Sequence, residues 1–135
     1  MPTRPAQVSP AGFDDLYGLD VTELGDERAV GTVVVRAELK EPRGLVHGGV
    51  FTAVAESLAS LATARAVAPD GKTAVGLSNQ TSFLHPVTAG TIQAVATLKH
   101  SGRTTWVWEV EMSDDQDELC ALTRVTLAIR HRPDH

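Results

Sequence analysis

The chain has 135 residues, 42% hydrophobic and 21% charged, which fits one globular domain and excludes a disordered, collagen-like or coiled-coil chain. Twelve Lys and Arg against seventeen Asp and Glu leave a net charge of −5, unsuited to a nucleic-acid or anionic-membrane partner, so small molecules are the expected ligands. The single cysteine, Cys120, excludes an intramolecular disulfide and a thiolate metal cluster; with no apolar or basic leader at the start, the expected compartment is the cytoplasm.

Residues 1–12 are Pro-punctuated and polar and predict a flexible arm, with a single domain over residues 13–131. Residues 13–19 suit one short helical turn. Residues 28–40 alternate, with Ala29, Gly31, Val33, Val35, Ala37 and Leu39 opposite Thr32, Arg36, Glu38 and Lys40, the pattern of a half-buried strand. The period then changes, and the spacing predicts one long helix from about Gly49 that ends before Pro69, Asp70 and Gly71. Four more strands are predicted over residues 73–84, 91–99, 104–112 and 119–129, with pairing ending at the HRPDH tail. One helix among about five long strands predicts an α+β fold, an antiparallel sheet curled round a central helix. Trp106 and Trp108 alternate with Glu109 and Glu111; a one-sided core and a face partly covered by a second subunit both fit that pattern.

Within residues 44–64 the only charged residue is Glu56, and Thr52, Glu56 and Ser60 form a polar stripe at i, i+4, i+8. By itself such a Glu is either a partly solvated edge residue or a carboxylate tuned by apolar surroundings for base or nucleophile work. His47-Gly48-Gly49 precedes it. Two glycines at a helix start let a ligand approach unsatisfied N–H groups at the positive end of the helix dipole, which is the makings of an oxyanion hole. Other patterns carry no chemistry. Gly76-Leu77-Ser78 lacks the second glycine of a nucleophile elbow, there is no phosphate loop, no His or Cys pair has zinc spacing, His131 and His135 fall in the tail, and Cys120 reads as a small packed side chain.

From Glu41 to Ile129 the chain resembles the hotdog-fold acyl-CoA thioesterases of the phenylacetic-acid-degradation and 4-hydroxybenzoyl-CoA type. The resemblance rests on Gly44-Leu45-Val46-His47-Gly48-Gly49 followed by Ala55-Glu56-Ser57, on Gly76-Leu77, on Ser82-Phe83-Leu84-His85-Pro86, on His100-Ser101-Gly102-Arg103, and on the strands carrying Val107-Trp108-Glu109-Val110 and Thr123-Arg124-Val125-Thr126. It implies hydrolysis of an acyl-CoA or aroyl-CoA thioester, with CoA a part of the substrate and no cofactor. Glu56 would be nucleophile or general base, Gly48 N–H the donor to the thioester oxygen, His47 its orienter and Ser60 the holder of the hydrolytic water. Gly76, Phe83, Leu84, His85 and Pro86, with His100, Ser101, Gly102, Arg103, Thr104 and Thr105, would contact pantetheine and nucleotide, with Arg103 and Arg124 on the phosphates. A homodimer, commonly paired into a tetramer, is implied as well. Two positions depart from the family. Glu41 stands where Gln or Asn often helps bind the carbonyl, so it is protonated, or its loop is shifted, or that role is absent. His85 stands where Arg is frequent. A non-catalytic acyl-CoA-binding module is the main alternative; a hotdog hydratase or dehydratase ranks lower because Gly-Gly, not a Pro-rich loop, follows the His.

Helix geometry adds an expectation of its own. Seven residues from Gly49 to Glu56 span roughly 10 Å of axis, whereas attack needs about 3 to 3.5 Å between reacting atoms. A site shared between two antiparallel helices of a dimer is the predicted solution.

Overall fold

The computed structural model describes residues 12–133; the predicted arm, apart from Gly12, and the last two residues of the tail lie outside them. A short helix α1 (Phe13–Tyr17) ends at Gly18, whose left-handed φ of 82° lets its N–H return to the carbonyls of Asp14 and Asp15. Strands β1 (Asp20–Leu24) and β2 (Arg28–Val34) follow, then helix α2 (Gly48–Val67), and strands β3 (Lys72–Phe83), β4 (Thr91–Ser101), β5 (Thr105–Ser113) and β6 (Leu119–His131). The six strands form one antiparallel sheet in the order β1-β2-β4-β5-β6-β3. It wraps α2, which is the hotdog arrangement that the resemblance implies.

Three expectations need correction. The strand predicted over residues 28–40 stops at Val34, and residues Ala37–Leu39 form a 3₁₀ turn. Val35 N–H leaves the ladder for the carbonyl of Gly90, and Leu39 and Lys40 close back on Arg36 and Ala37, so the continuing alternation comes from a turn that buries Leu39 alone. Strand β1 was not predicted; its five residues are too few for a period to show. Pairing also reaches His131, opposite Lys72, because an edge strand starting at Lys72 gives the tail a partner.

Helix α2 is the one helix among the described residues long and apolar enough to cross a membrane, and the sheet accounts for that apolarity. Val54, Ala55, Leu58, Ala59 and Ala62 pack into one core with Ala29, Val33, Ile92, Ala94, Val110, Met112, Val125 and Leu127. Gly31 lies close under the helix: a Cβ there would meet Leu58 Cδ2 at 3.1 Å and Leu19 Cδ1 at 3.0 Å. The indole of Trp108 is also inside, 0% exposed, donating from Nε1 to Thr63 Oγ1 at 2.8 Å, while Thr63 donates to the Ala59 carbonyl at 2.7 Å. Trp106 packs against the same core. Both tryptophans therefore face the core. The exposed apolar side chains lie elsewhere, with Val75, Leu77, Phe83 and the adjoining Leu84 along the edge strand β3.

Candidate active site

The entrance to α2 is shaped by its own sequence. His47 is the N-cap in an extended conformation (φ −61°, ψ 134°), and its Nδ1 accepts from Gly49 N–H at 2.9 Å, which leaves the imidazole proton on Nε2. Its backbone N–H donates to the Leu39 carbonyl at 2.8 Å, and its carbonyl accepts from Val50 N–H at 3.0 Å. The N–H of Gly48 has no acceptor among the described residues. It is an uncommitted donor at the positive end of the helix. Both glycines are closely approached: a Cβ on Gly48 would stand 2.9 Å from Phe83 Cε1, so that ring would have to move aside, and one on Gly49 3.0 Å from His47 Nδ1.

A cavity of about 480 Å³ opens beside this donor. His47, Gly48, Phe83, Leu84, His85 and Pro86, all expected at the site, line it together with Leu45, Val46, Phe51, Val87 and Cys120 and with the charged Glu41 and Arg43 at one side. Phe51 and Phe83 meet edge to face at 6.4 Å between ring centroids, so the wall is largely aromatic and aliphatic. Cys120 is 1% exposed, and burial pushes its thiol above the ordinary value, with the Asp114 charge adding to the effect. It is thus a neutral wall element.

Glu41 resolves the first departure from the family. Its Oε2 accepts from Arg43 Nε at 2.8 Å, and its Oε1 from the N–H groups of Arg43 at 2.7 Å and Leu45 at 3.2 Å. The Arg43 bond foremost, with the two backbone donors, holds the carboxyl below its ordinary range against the opposing effect of desolvation. Glu41 is therefore ionised, and its oxygens organise the loop back to α2; it has no proton to offer a carbonyl.

Glu56 stands apart from this cavity. It does not line it, and it is exposed, the partly solvated of the two readings, because it sits at the margin of the helix face that the sheet covers, over the edge strand β3. Eight residues of unbroken helix separate it from Gly48, roughly 12 Å of axis. Its Oε2 lies over β3, 4.0 Å from where a Cβ of Gly76 would be, beside a shift in the β3–β6 register between Gly76 and Ser78. Ser60 lies one turn further along and is half-buried.

The remaining expected residues fall at two separate places. The turn after β4 is a built structure: Gly102 N–H donates to the Thr105 carbonyl at 2.9 Å, Trp106 Nε1 to the Gly102 carbonyl at 3.0 Å, and Ile129 N–H to the Thr104 carbonyl at 2.9 Å. The His100 ring lies over Gly102, where a Cβ would come within 2.8 Å of Nε2, and Ser101 pairs with Trp106. Arg103 is exposed in this turn. Arg124 is exposed between buried Thr123 and Val125, on the outer face of the sheet and opposite Glu109 and Gln80. Thr105 pairs with Ala128, so Arg124 lies four residues down β6, roughly 13 Å away. The two arginines do not form one cluster.

Sequence reasoning missed the dock between α1 and α2. Ser57 Oγ donates to Asp14 Oδ1 at 2.6 Å, and Tyr17 OH donates to the same oxygen at 2.9 Å. Burial pushes the Tyr17 phenol far above its ordinary value; the Ser57 bond opposes this, and the Asp14 and Glu56 charges add to it. Only the acidic pair Asp14-Asp15 ahead of Tyr17 hinted at this arrangement.

The family profile described as the thioesterase superfamily matches residues 43–121. A Mycobacterium tuberculosis protein named as an esterase is 36% identical over 132 residues, covering 92% of this chain and 94% of its own length; its structure superposes with a TM-score of 0.87. The 1,4-dihydroxy-2-naphthoyl-CoA hydrolase of Listeria monocytogenes is 30% identical over 121 residues, covering 90% of this chain and 98% of that one. A Staphylococcus aureus thioesterase, 26% identical, has been solved as a glutamine-to-alanine variant with a TM-score of 0.86, covering 89% of this chain and 99% of that one. Its glutamate-to-alanine variant gives 0.83, with coverage of 87% and 97%. The two altered positions are 15 apart, 47 against 32.

Proposed function

The chain belongs to the thioesterase superfamily and is a thioester hydrolase, and on that premise we propose that it hydrolyses an acyl-CoA or aroyl-CoA ester to the free acid and CoA at a site shared by two subunits. The observation that carries the proposal is the placement of an uncommitted Gly48 N–H beside an apolar cavity and of an exposed carboxylate, Glu56, further along the same helix. A Glu side chain does not reach back over that stretch of helix to within attacking distance. Pairing two α2 helices antiparallel across a two-fold axis sets the donor of one beside the carboxylate of the other, twice. The apolar side chains along edge strand β3 supply a surface for such pairing.

In this reading the thioester oxygen accepts from Gly48 N–H, which stabilises the negative charge that develops there. Glu56 of the other subunit takes the proton of a water held by Ser60, the water oxygen bonds to the carbonyl carbon, and the C–S bond breaks as the sulfur leaves with the proton. Alternatively Glu56 attacks the carbonyl carbon directly, the C–S bond breaks to release CoA as its thiolate, and water cleaves the resulting anhydride, regenerating Glu56 and giving a proton to the thiolate. His47 keeps the donor loop in place through its cap on Gly49. The Listeria relative's substrate supports an aromatic acyl group. The spacing of the altered pair in the Staphylococcus enzyme, 15 positions, is that between Glu41 and Glu56 here, which supports Glu56 as the reacting carboxylate.

The test is thiol release from benzoyl-CoA, a bicyclic aroyl-CoA and a medium-chain acyl-CoA, followed with a thiol reagent for the wild type and for Glu56→Ala. Turnover of at least one ester, with a loss of about a hundredfold or more in kcat for the variant, is expected. No thiol release across the panel, or near-wild-type turnover in folded Glu56→Ala, refutes the proposal.

A further inference from the structure

A hydrogen-bonded chain, separate from the Trp108–Thr63 bond further along, crosses the contact between sheet and helix and ends on the turn of α2 that carries Glu56. Asn79 Nδ2 donates to the carbonyl of Thr52 at 3.0 Å. In a continuous α-helix that carbonyl is the acceptor for Glu56 N–H. Asn79 thus binds the very peptide group from which the Glu56 backbone hangs. The orientation of its amide is fixed in turn, since Thr81 Oγ1 donates to Asn79 Oδ1 at 2.9 Å. A hydroxyl has one proton, so the 2.9 Å contact between Thr81 and Thr123 requires Thr123 to donate to Thr81. Thr123 is 0% exposed. The chain of donors runs Thr123, Thr81, Asn79, Thr52 carbonyl, from β6 through β3 to α2.

The register shift in β3 makes this possible. Ala74, packed against the core, and Gly76, under the Glu56 carboxylate, are the even-numbered positions facing α2. Past the shift between Gly76 and Ser78 the odd positions face it, and Asn79 and Thr81 are half-buried while Ser78, Gln80 and Ser82 are exposed. A bulge moves the pleat by one residue and so exchanges which side chains point inward. Apolar residues at these positions would dock the helix equally well without the desolvation cost of three polar side chains, but directional bonds fix its rotation.

We propose that Asn79, oriented by Thr81 and Thr123, is the positioning residue for Glu56, holding its helical turn so that the carboxylate stands over Gly76 at the height the reaction needs. The inference rests on the assignment of Glu56 above. None of these side chains touches the reacting atoms, so the expected signature is a change in kcat at constant KM. Misplacement by about 1 Å is enough to lower rate by up to about a hundredfold. The test compares Thr81→Val, which keeps the shape and removes the proton that orients Asn79, with Thr81→Ser, which keeps the hydroxyl, and with Asn79→Leu. Thr81→Val and Asn79→Leu are expected to lose about tenfold or more in kcat, with KM for the CoA ester within about twofold and native circular dichroism, while Thr81→Ser stays within about threefold of wild type. If Thr81→Val does not fold, Thr123→Val, which removes the proton one step upstream, carries the same expectation. Wild-type kcat in folded Asn79→Leu and Thr81→Val, or equal losses in Thr81→Ser and Thr81→Val, overturns the inference. Near-wild-type activity of Glu56→Ala would overturn the assignment beneath it, a separate result read from a separate variant.

Discussion

Gly48→Pro isolates the proposed donor with little else disturbed. Gly48 is the first residue of α2, the position where proline is best tolerated because its missing N–H would have had no helical partner. The residue before a proline must be extended, and His47 already is, at φ −61° and ψ 134°. The proline Cβ would stand 2.9 Å from Phe83 Cε1, the far end of an exposed side chain that can turn away. The variant should therefore fold and lose about a hundred- to a thousandfold in kcat, the usual effect of deleting one oxyanion donor. Mixing it with inactive Glu56→Ala tests the shared site quantitatively. Random exchange makes half of the dimers mixed, and each mixed dimer has one site with an intact donor from one subunit and an intact carboxylate from the other. Recovered activity should approach about a quarter of wild type per protomer, one half of the dimers times one half of their sites. Thiol release is assayed after exchange is verified by native mass spectrometry. Verified mixed dimers with no more activity than the parents refute the shared site.

Three further outcomes are expected. Thr63→Val removes the acceptor of the buried Trp108 N–H while keeping the volume; it should cost about 1–3 kcal/mol and roughly 3–10 °C in Tm, whereas Thr63→Ser should cost less, and equal Tm values for the two would discount the hydrogen bond. Tyr17, the only tyrosine, has its folded pKa raised, so its contribution to stability is complete below about pH 10 and is lost as pH rises beyond it; tyrosinate absorbance should appear only as native circular dichroism disappears, and a phenol titrating normally in the native protein would contradict this. Arg103→Ala and Arg124→Ala should each raise KM for CoA esters several-fold and spare a short thioester lacking the nucleotide, and since they stand more than about 10 Å apart their effects should multiply in the double variant.

Periodicity carried most of the fold because the elements that bury side chains are long. Strands β3 to β6 each span nine or more residues, enough for alternation to show, and α2 announces itself by its change of period. Strand β1 and the 3₁₀ turn at Ala37–Leu39 were illegible for the converse reason. They are short and shaped by partners distant in sequence, such as the Gly90 carbonyl that captures Val35 N–H. At the site, His47-Gly48-Gly49 was legible because a cap and two close approaches demand those residue types. The exposure of Glu56 was not, since a composition of Val, Leu and Ala around it does not say which face the sheet leaves open. Asn79 and Thr81 were hidden by the register shift, which puts them inward against the alternation that precedes it.

The missing side chain at Gly31 sets how high the helix rides above the sheet. Two leucine methyl groups, from Leu58 and Leu19, already stand 3.0–3.1 Å from the place of its absent Cβ, so a side chain there must push one of them aside. Each methyl group added there is a wedge that lifts the middle of α2, carrying Glu56 two residues before Leu58 with it, while every group at the reacting centre keeps its chemistry. Graded substitution at a position on the far strand β2 thus becomes a screw adjustment of carboxylate height, and the distance dependence of the reaction can be read off one residue that never meets the substrate.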